Sequence, residues 1–201
     1  MANVVKQVAI FPTVITEFEY AANYDLSIVI KEEKLFEDKP FVSSQSINNK
    51  LHEKKEYQPL VTKILNTTKE VCQLYKYTYK SLEITNLWIN HSKKGASHNP
   101  HNHSNNIFSG VWYPFKDISN TPIIFQDPRP AVSVLYPNCE QYNLYNTSMY
   151  KFPPTQNMGL IFPSWLYHFV PPTHNDRLSL SFNIILRGEY GKKNTLQNAN
   201  I

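Results

Sequence analysis

GLIFPSWLYHFVPPTHNDRLSLSFNI, residues 159–184, runs from an apolar segment through a Pro-Ser turn to His168, a proline pair and an alternating strand. Side chains along an extended strand point to opposite faces in turn. Arg177, Ser179 and Ser181 therefore share one face, and Leu178, Leu180 and Phe182 the other. Similar short runs, separated by Pro, Asn and Gly, recur throughout the chain after Lys80. They fall at 82–91, 107–113, 123–126, 131–135, 148–152, 159–162, 168–170 and 178–186. Many short strands with turn signals between them predict a mainly β fold, an antiparallel sandwich or barrel of jelly-roll type.

Upstream of these strands the pattern is different. Leu60, Ile64, Val71 and Tyr75, with Val61, Leu65 and Cys72 beside them, fit helical spacing and predict an amphipathic helix over 58–77. Residues 41–57, FVSSQSINNKLHEKKEY, read as an exposed loop, and the first 40 residues show no decisive periodicity. The expected organisation is a single domain, 1–201. It has a flank at 1–80 that carries the helix, a β core at 81–187 and a tail at 188–201.

Composition narrows the function classes. The chain has 201 residues, with 20 Lys plus Arg against 16 Asp plus Glu, a net charge of +4. Its basic residues are scattered or paired with Glu, as in KEEK at 31–34, and form no stripe of the kind nucleic-acid binders carry. A nucleic-acid partner is therefore disfavoured. No apolar run approaches the roughly 18 residues of a membrane span, and MANVVKQVAIFPT lacks a signal-peptide pattern. Cys72 and Cys139 form no C-x-x-C motif, which suits a reducing cytoplasm. A homodimer paired through sheet edges is compatible with such a fold.

Two residue types are unevenly spread. Four of the seven His fall between His91 and His103, and only Arg129, Arg177 and Arg187 are arginines. On an extended strand His101 and His103 point the same way, and two imidazoles so placed can converge on one metal. A polar loop that merely contains histidines would look the same, above all at His91 and His98. An arginine on the inner face of a small barrel suggests an anion, because its planar fork grips a carboxylate through two hydrogen bonds. A salt bridge to Asp or Glu, or an outward face with Phe182 and the leucines in the core, would also explain Arg177.

Taken together these segments resemble the iron(II)- and 2-oxoglutarate-dependent oxygenases, most closely a group of small ones from bacteria and their viruses. The resemblance rests on Trp88-Ile89-Asn90, His101-Asn102-His103, Ser109-Gly110-Val111-Trp112-Tyr113, Asp127-Pro128-Arg129 and Phe162 through Asn183, and covers roughly 82–187. IFPT at 10–13 also looks like the start of that group. His168 follows His101 by 67 residues and Arg177 follows His168 by nine, with Ser179 completing R-x-S.

The resemblance implies a double-stranded β-helix core of the jelly-roll or cupin type. It implies that His101, His103 and His168 ligate iron(II). It further implies that Arg177 and Ser179 hold the far carboxylate of 2-oxoglutarate, with Tyr113 and Asn90 adding hydrogen bonds. O2 would be the third reactant, and oxidative decarboxylation to succinate would be coupled to oxidation of an unknown substrate. The family's usual acid in the first pair is replaced here by His103, so the ligands are three neutral imidazoles instead of a 2-His-1-carboxylate set. Asp127 is the alternative source of a carboxylate. A cupin-like three-histidine dioxygenase that does not use 2-oxoglutarate, and a jelly-roll binding module without metal, are the competing readings. Arg177 separates the first of these from the oxygenase.

Overall fold

The computed structural model describes residues 6, 8–37, 39–115, 120–129, 134–135 and 137–201. In chain order its strands are β1 (Thr16–Glu19), β2 (Ser44–Gln45), β3 (Ser81–Ser92), β4 (His98–His101), β5 (Phe108–Trp112), β6 (Ile123–Gln126), β7 (Met149–Phe152), β8 (Met158–Pro163), β9 (His168–Val170), β10 (Arg177–Arg187), β11 (Glu189–Tyr190) and β12 (Ala199–Asn200). The helices are α1 (Tyr24–Glu32) and α2 (Gln58–Tyr75).

A six-stranded sheet has the order β1-β8-β5-β10-β3-β2, and a four-stranded sheet the order β4-β9-β6-β7. Their strand pairs are antiparallel, as the short-strand pattern predicts for a jelly roll. The tail forms the two-stranded pair β11-β12. Of the expected strand at 131–135, residues 131–133 lie outside the described residues, and Val134 and Leu135 form a bend.

The long strand β10 is covered on both faces. Leu180, Phe182, Ile184 and Leu186 pack into one core with Leu87 and Ile89 of β3, with Leu26 and Ile30 of α1, and with Leu60, Ile64 and Val71 of α2. Arg177 and Ser179 on the opposite face are equally buried, and they line a cavity between the two sheets. The alternation seen in the sequence thus separates two interiors, a helix-backed apolar core and the inside of the jelly roll.

A bulge keeps β3 in phase with β10. Asn183 pairs with Asn86 while Ile184 pairs with Ile84, so Thr85 is the extra residue. The core-facing positions therefore shift from Leu82 and Ile84 to Leu87 and Ile89 without leaving the core.

Helix α2 ends at Tyr75, two residues short of the expected limit, because Lys76 turns into the left-handed region at φ 54°. Its N–H and that of Tyr77 close on the carbonyls of Gln73 and Cys72. Residues 41–57 are not simply an exposed loop. They include β2 and two short 3-10 turns, and Leu51 and Tyr57 are fully buried. Charged residues between those anchors (HEKKE, 52–56) hide the apolar signal. In the unassigned N-terminal stretch, α1 starts where the Leu26 N–H donates to Asn23 Oδ1 at 2.8 Å, a side-chain N-cap.

Candidate active site

Strands β4 and β9 lie side by side, with His101 directly opposite His168. Their ring centroids are 4.4 Å apart. His103 is not on the strand with His101, because β4 ends at His101. The chain instead leaves the sheet, held by the His103 N–H donating to the Ser164 carbonyl at 2.9 Å, and the His103 ring stacks on His101 at 5.2 Å. One ring nitrogen of each of His101, His103 and His168 lies within 4.8 Å of the others. Among the described residues no Asp, Glu or Cys joins this cluster. Asp127 lies in the D-P-R turn, where both its oxygens accept from the Arg129 guanidinium.

The other nitrogen of each ring is committed. His101 Nδ1 donates to the Asn99 carbonyl at 2.7 Å, His168 Nδ1 to the Leu166 carbonyl at 2.9 Å and His103 Nδ1 to Asn183 Oδ1 at 2.6 Å. The Ser109 hydroxyl donates to the same Oδ1, and Ser164 Oγ lies 2.8 Å from Ser109 Oγ. With Nδ1 carrying the proton, Nε2 of each ring presents a lone pair. Burial holds His168 down at about 3 and also lowers His103, where the Asn183 bond pulls the other way. The Phe125 and Phe162 rings, 5.9 and 4.9 Å from His168, form an apolar wall. The cluster is thus a neutral three-nitrogen donor set, which fits a divalent borderline metal such as iron(II).

Arg177, at 2 % exposure, opens β10 and lines the same cavity. Its guanidinium donates to Ser179 Oγ at 3.2 Å and to Tyr113 Oη at 2.9 Å, and lies 5.1 Å from the centre of the Tyr113 ring. Tyr113 is fully buried just beyond β5, where its backbone bonds Met158 and Asn157. Asn90 on β3 accepts from Trp88 Nε1 at 3.1 Å and Gln45 Nε2 at 3.3 Å, and donates to Ser181 Oγ at 2.8 Å.

Six of the seven residues to which the sequence points therefore line the cavity between the sheets, and the seventh, Tyr113, meets it through its bond to Arg177. His91 does not join them: its Nε2 lies 3.8 Å from Asp176. His98 does line the cavity, as do Gln45 and Trp88. The supporting roles of Ser109, Ser164 and Asn183 were also not read from the sequence, although all three lie inside the S-G-V, F-P-S and S-F-N motifs.

Residues 86–183 match the model of the family described as "Putative 2OG-Fe(II) oxygenase". No curated protein shows sequence similarity to the chain. Among solved structures, a prolyl-4-hydroxylase from Pseudomonas putida is 12% identical, with 87% of this chain and 94% of that one covered at a TM-score of 0.58. HygX from Streptomyces hygroscopicus, with nickel, 2-oxoglutarate and hygromycin B bound, is 8% identical, with coverages of 87% and 83% and a TM-score of 0.57. A prolyl hydroxylase from Trichoplax adhaerens, in complex with a hypoxia inducible factor peptide, is 10% identical, with coverages of 85% and 83% and a TM-score of 0.55. At these identities the likeness is one of fold. The family match, in contrast, spans the three clustered histidines and Arg177. Over residues 86–183 the chain is thus similar in sequence to the 2OG-Fe(II) oxygenases, and over most of its length it is similar to them in fold.

Proposed function

We propose that His101, His103 and His168 hold the iron through Nε2, and that Arg177, with Ser179 and Tyr113, holds the far carboxylate of 2-oxoglutarate. The observation that carries this reading is a buried arginine in the same cavity as three imidazoles whose Nδ1 atoms are all engaged. Iron(II) and 2-oxoglutarate, when bound, supply the oxidising chemistry: O2 and 2-oxoglutarate give succinate and carbon dioxide as a substrate C–H bond becomes C–OH.

The protein's own contributions are orientation, charge and exclusion of water. The Nδ1 bonds fix the rotation of each ring and keep the coordinating nitrogen deprotonated. Arg177 offers a planar fork, positioned by the Tyr113 face and by Ser179. Asn90 keeps Trp88, Gln45 and Ser181 in place along the cavity wall and adds hydrogen-bonding capacity there. Phe125 and Phe162 keep solvent from His168. Three neutral ligands leave the full +2 charge on the metal, and the dianionic cosubstrate offsets it.

We read residues 1–201 as one domain, since α1 and α2 complete the core behind β10. Cys72 and Cys139 are both free thiols, which supports a reducing, cytoplasmic setting. No helix among the described residues is long and apolar enough to cross a membrane.

The test is an anaerobic titration of 2-oxoglutarate into iron(II)-loaded protein, together with an assay for succinate formed in air with ascorbate. Wild type should bind the cosubstrate and release succinate slowly. Arg177→Ala should bind it about tenfold or more weakly, because hydrogen bonds to charged groups contribute roughly 1.5–3 kcal/mol each. Iron bound without 2-oxoglutarate would point instead to a three-histidine metal enzyme that does not use it. Unchanged metal content on replacing both His101 and His168 with Ala would overturn the metal site.

A further inference from the structure

His98 is not part of the cluster just described, yet it faces the same cavity. The residues between it and His101, Asn99 and Pro100, are exposed, and the β4–β9 register is irregular at this point: His98 pairs with Val170 and His101 with His168. Regular alternation would put residues three apart on opposite faces. The irregularity brings both imidazoles inward, and their ring centroids are 6.3 Å apart. Pro100 has no N–H to contribute to a regular ladder, so the sequence itself favours this break.

The Nε2 atom of His98 is sealed from solvent, and no hydrogen-bond partner for it lies among the described residues. His98 and Arg177 line one cavity. Burial, followed by the Arg177 charge, holds His98 down at about 4. A buried polar atom left without a partner is costly in the free protein, and such atoms are uncommon. Its position suggests that the partner is a ligand, and an acceptor beside Arg177 is the most direct candidate.

We propose that His98 is a second anchor for 2-oxoglutarate, donating from Nε2 to the carboxylate that Arg177 holds. This rests on the assignment of Arg177 as the carboxylate clamp. The neutral imidazole donates one hydrogen bond while the guanidinium supplies the charge. An unpaired donor in the free protein thereby becomes a paired one in the complex. The ligand-free protein gives up some stability at His98, and cosubstrate affinity is the gain.

The test uses calorimetric titration of 2-oxoglutarate into anaerobic iron(II)-loaded protein, metal affinity, and the thermal midpoint of the ligand-free protein. His98→Leu removes the donor while keeping an apolar side chain that fits the space. It should weaken 2-oxoglutarate binding about tenfold or more, leave iron affinity unchanged and leave the ligand-free midpoint equal or higher. His98→Gln carries an amide N–H close to the position of Nε2 and should restore most of the affinity. Wild-type affinity in His98→Leu would overturn the proposal. So would a lower ligand-free midpoint with both variants binding weakly, which is the signature of a packing role. Arg177→Ala is the control: if it binds as tightly as wild type, the clamp assignment itself fails, and this inference with it.

Discussion

Asn183 does for His103 what backbone carbonyls do for His101 and His168. Its Oδ1 accepts from the ring and from Ser109 at once, and so holds the one imidazole that lies beyond its strand. In the proposed reading His103 is also the ligand that stands where the related oxygenases carry an acid. Asn183→Ala should therefore weaken iron(II) binding about 10- to 100-fold, the usual cost of losing an outer hydrogen bond to a ligating histidine. A competition titration against a chelator measures it, and an unchanged affinity would show that the backbone and the tilted Trp88 ring 6.0 Å away suffice to place the ring. The gathering of His101, His103, His168 and Arg177 was legible because H-x-H, a distant His and R-x-S, each weak alone, form a specific pattern when taken in order. His98 was not, since only a strand irregularity turns it inward, and a single histidine in an Asn-rich stretch carries no spacing to read.

At the level of elements, legibility followed length and patterning. The alternation of β10 and the period of α2 were readable because each spans many residues with one face uniformly apolar. The two-residue β2 and the four-residue β1 are too short for a period to emerge, and they exist because longer neighbours offer edges to pair with. Strand β5 shows how tightly the elements mesh. Gly110 sits opposite Phe182, and a Cβ there would lie 2.1 Å from the ring and 2.4 Å from the Leu160 carbonyl oxygen. The ring could rotate but the carbonyl belongs to the paired strand β8 and cannot. Gly110→Ala should cost about 1–3 kcal/mol of stability, the range for overpacking, read as a lower urea midpoint. An equal midpoint would mean that β5 and β8 separate more easily than their ladder suggests.

The molecule as a whole buries two imidazoles, His98 and His168, around one cavity, and this sets its response to acid. An unfolded chain protonates His98 and His168 near the ordinary 6.5, whereas burial holds them near 4 and 3 in the folded protein. Between those limits the unfolded state binds more protons, so the stability of the metal-free protein should fall as pH drops from about 6.5 toward 4. Above pH 7 these two groups contribute no slope. Urea midpoints at pH 7.5, 6 and 5, measured with and without iron(II), check this; a flat metal-free profile would contradict it. The two interiors, one on each side of β10, were only half legible, because a mixed face of Arg, Ser and Asn reads in sequence as solvent-exposed until a second sheet covers it. The Thr85 bulge has a further consequence. It absorbs the extra residue of β3, so Ile84 and Asn86 keep the faces that a regular pairing without residue 85 would give them. Position 85 is thus a place where the chain could shorten by one residue and still present Trp88 and Asn90 to the cavity and Leu87 and Ile89 to the helices. A length difference between homologues at this point would be neutral for the active site.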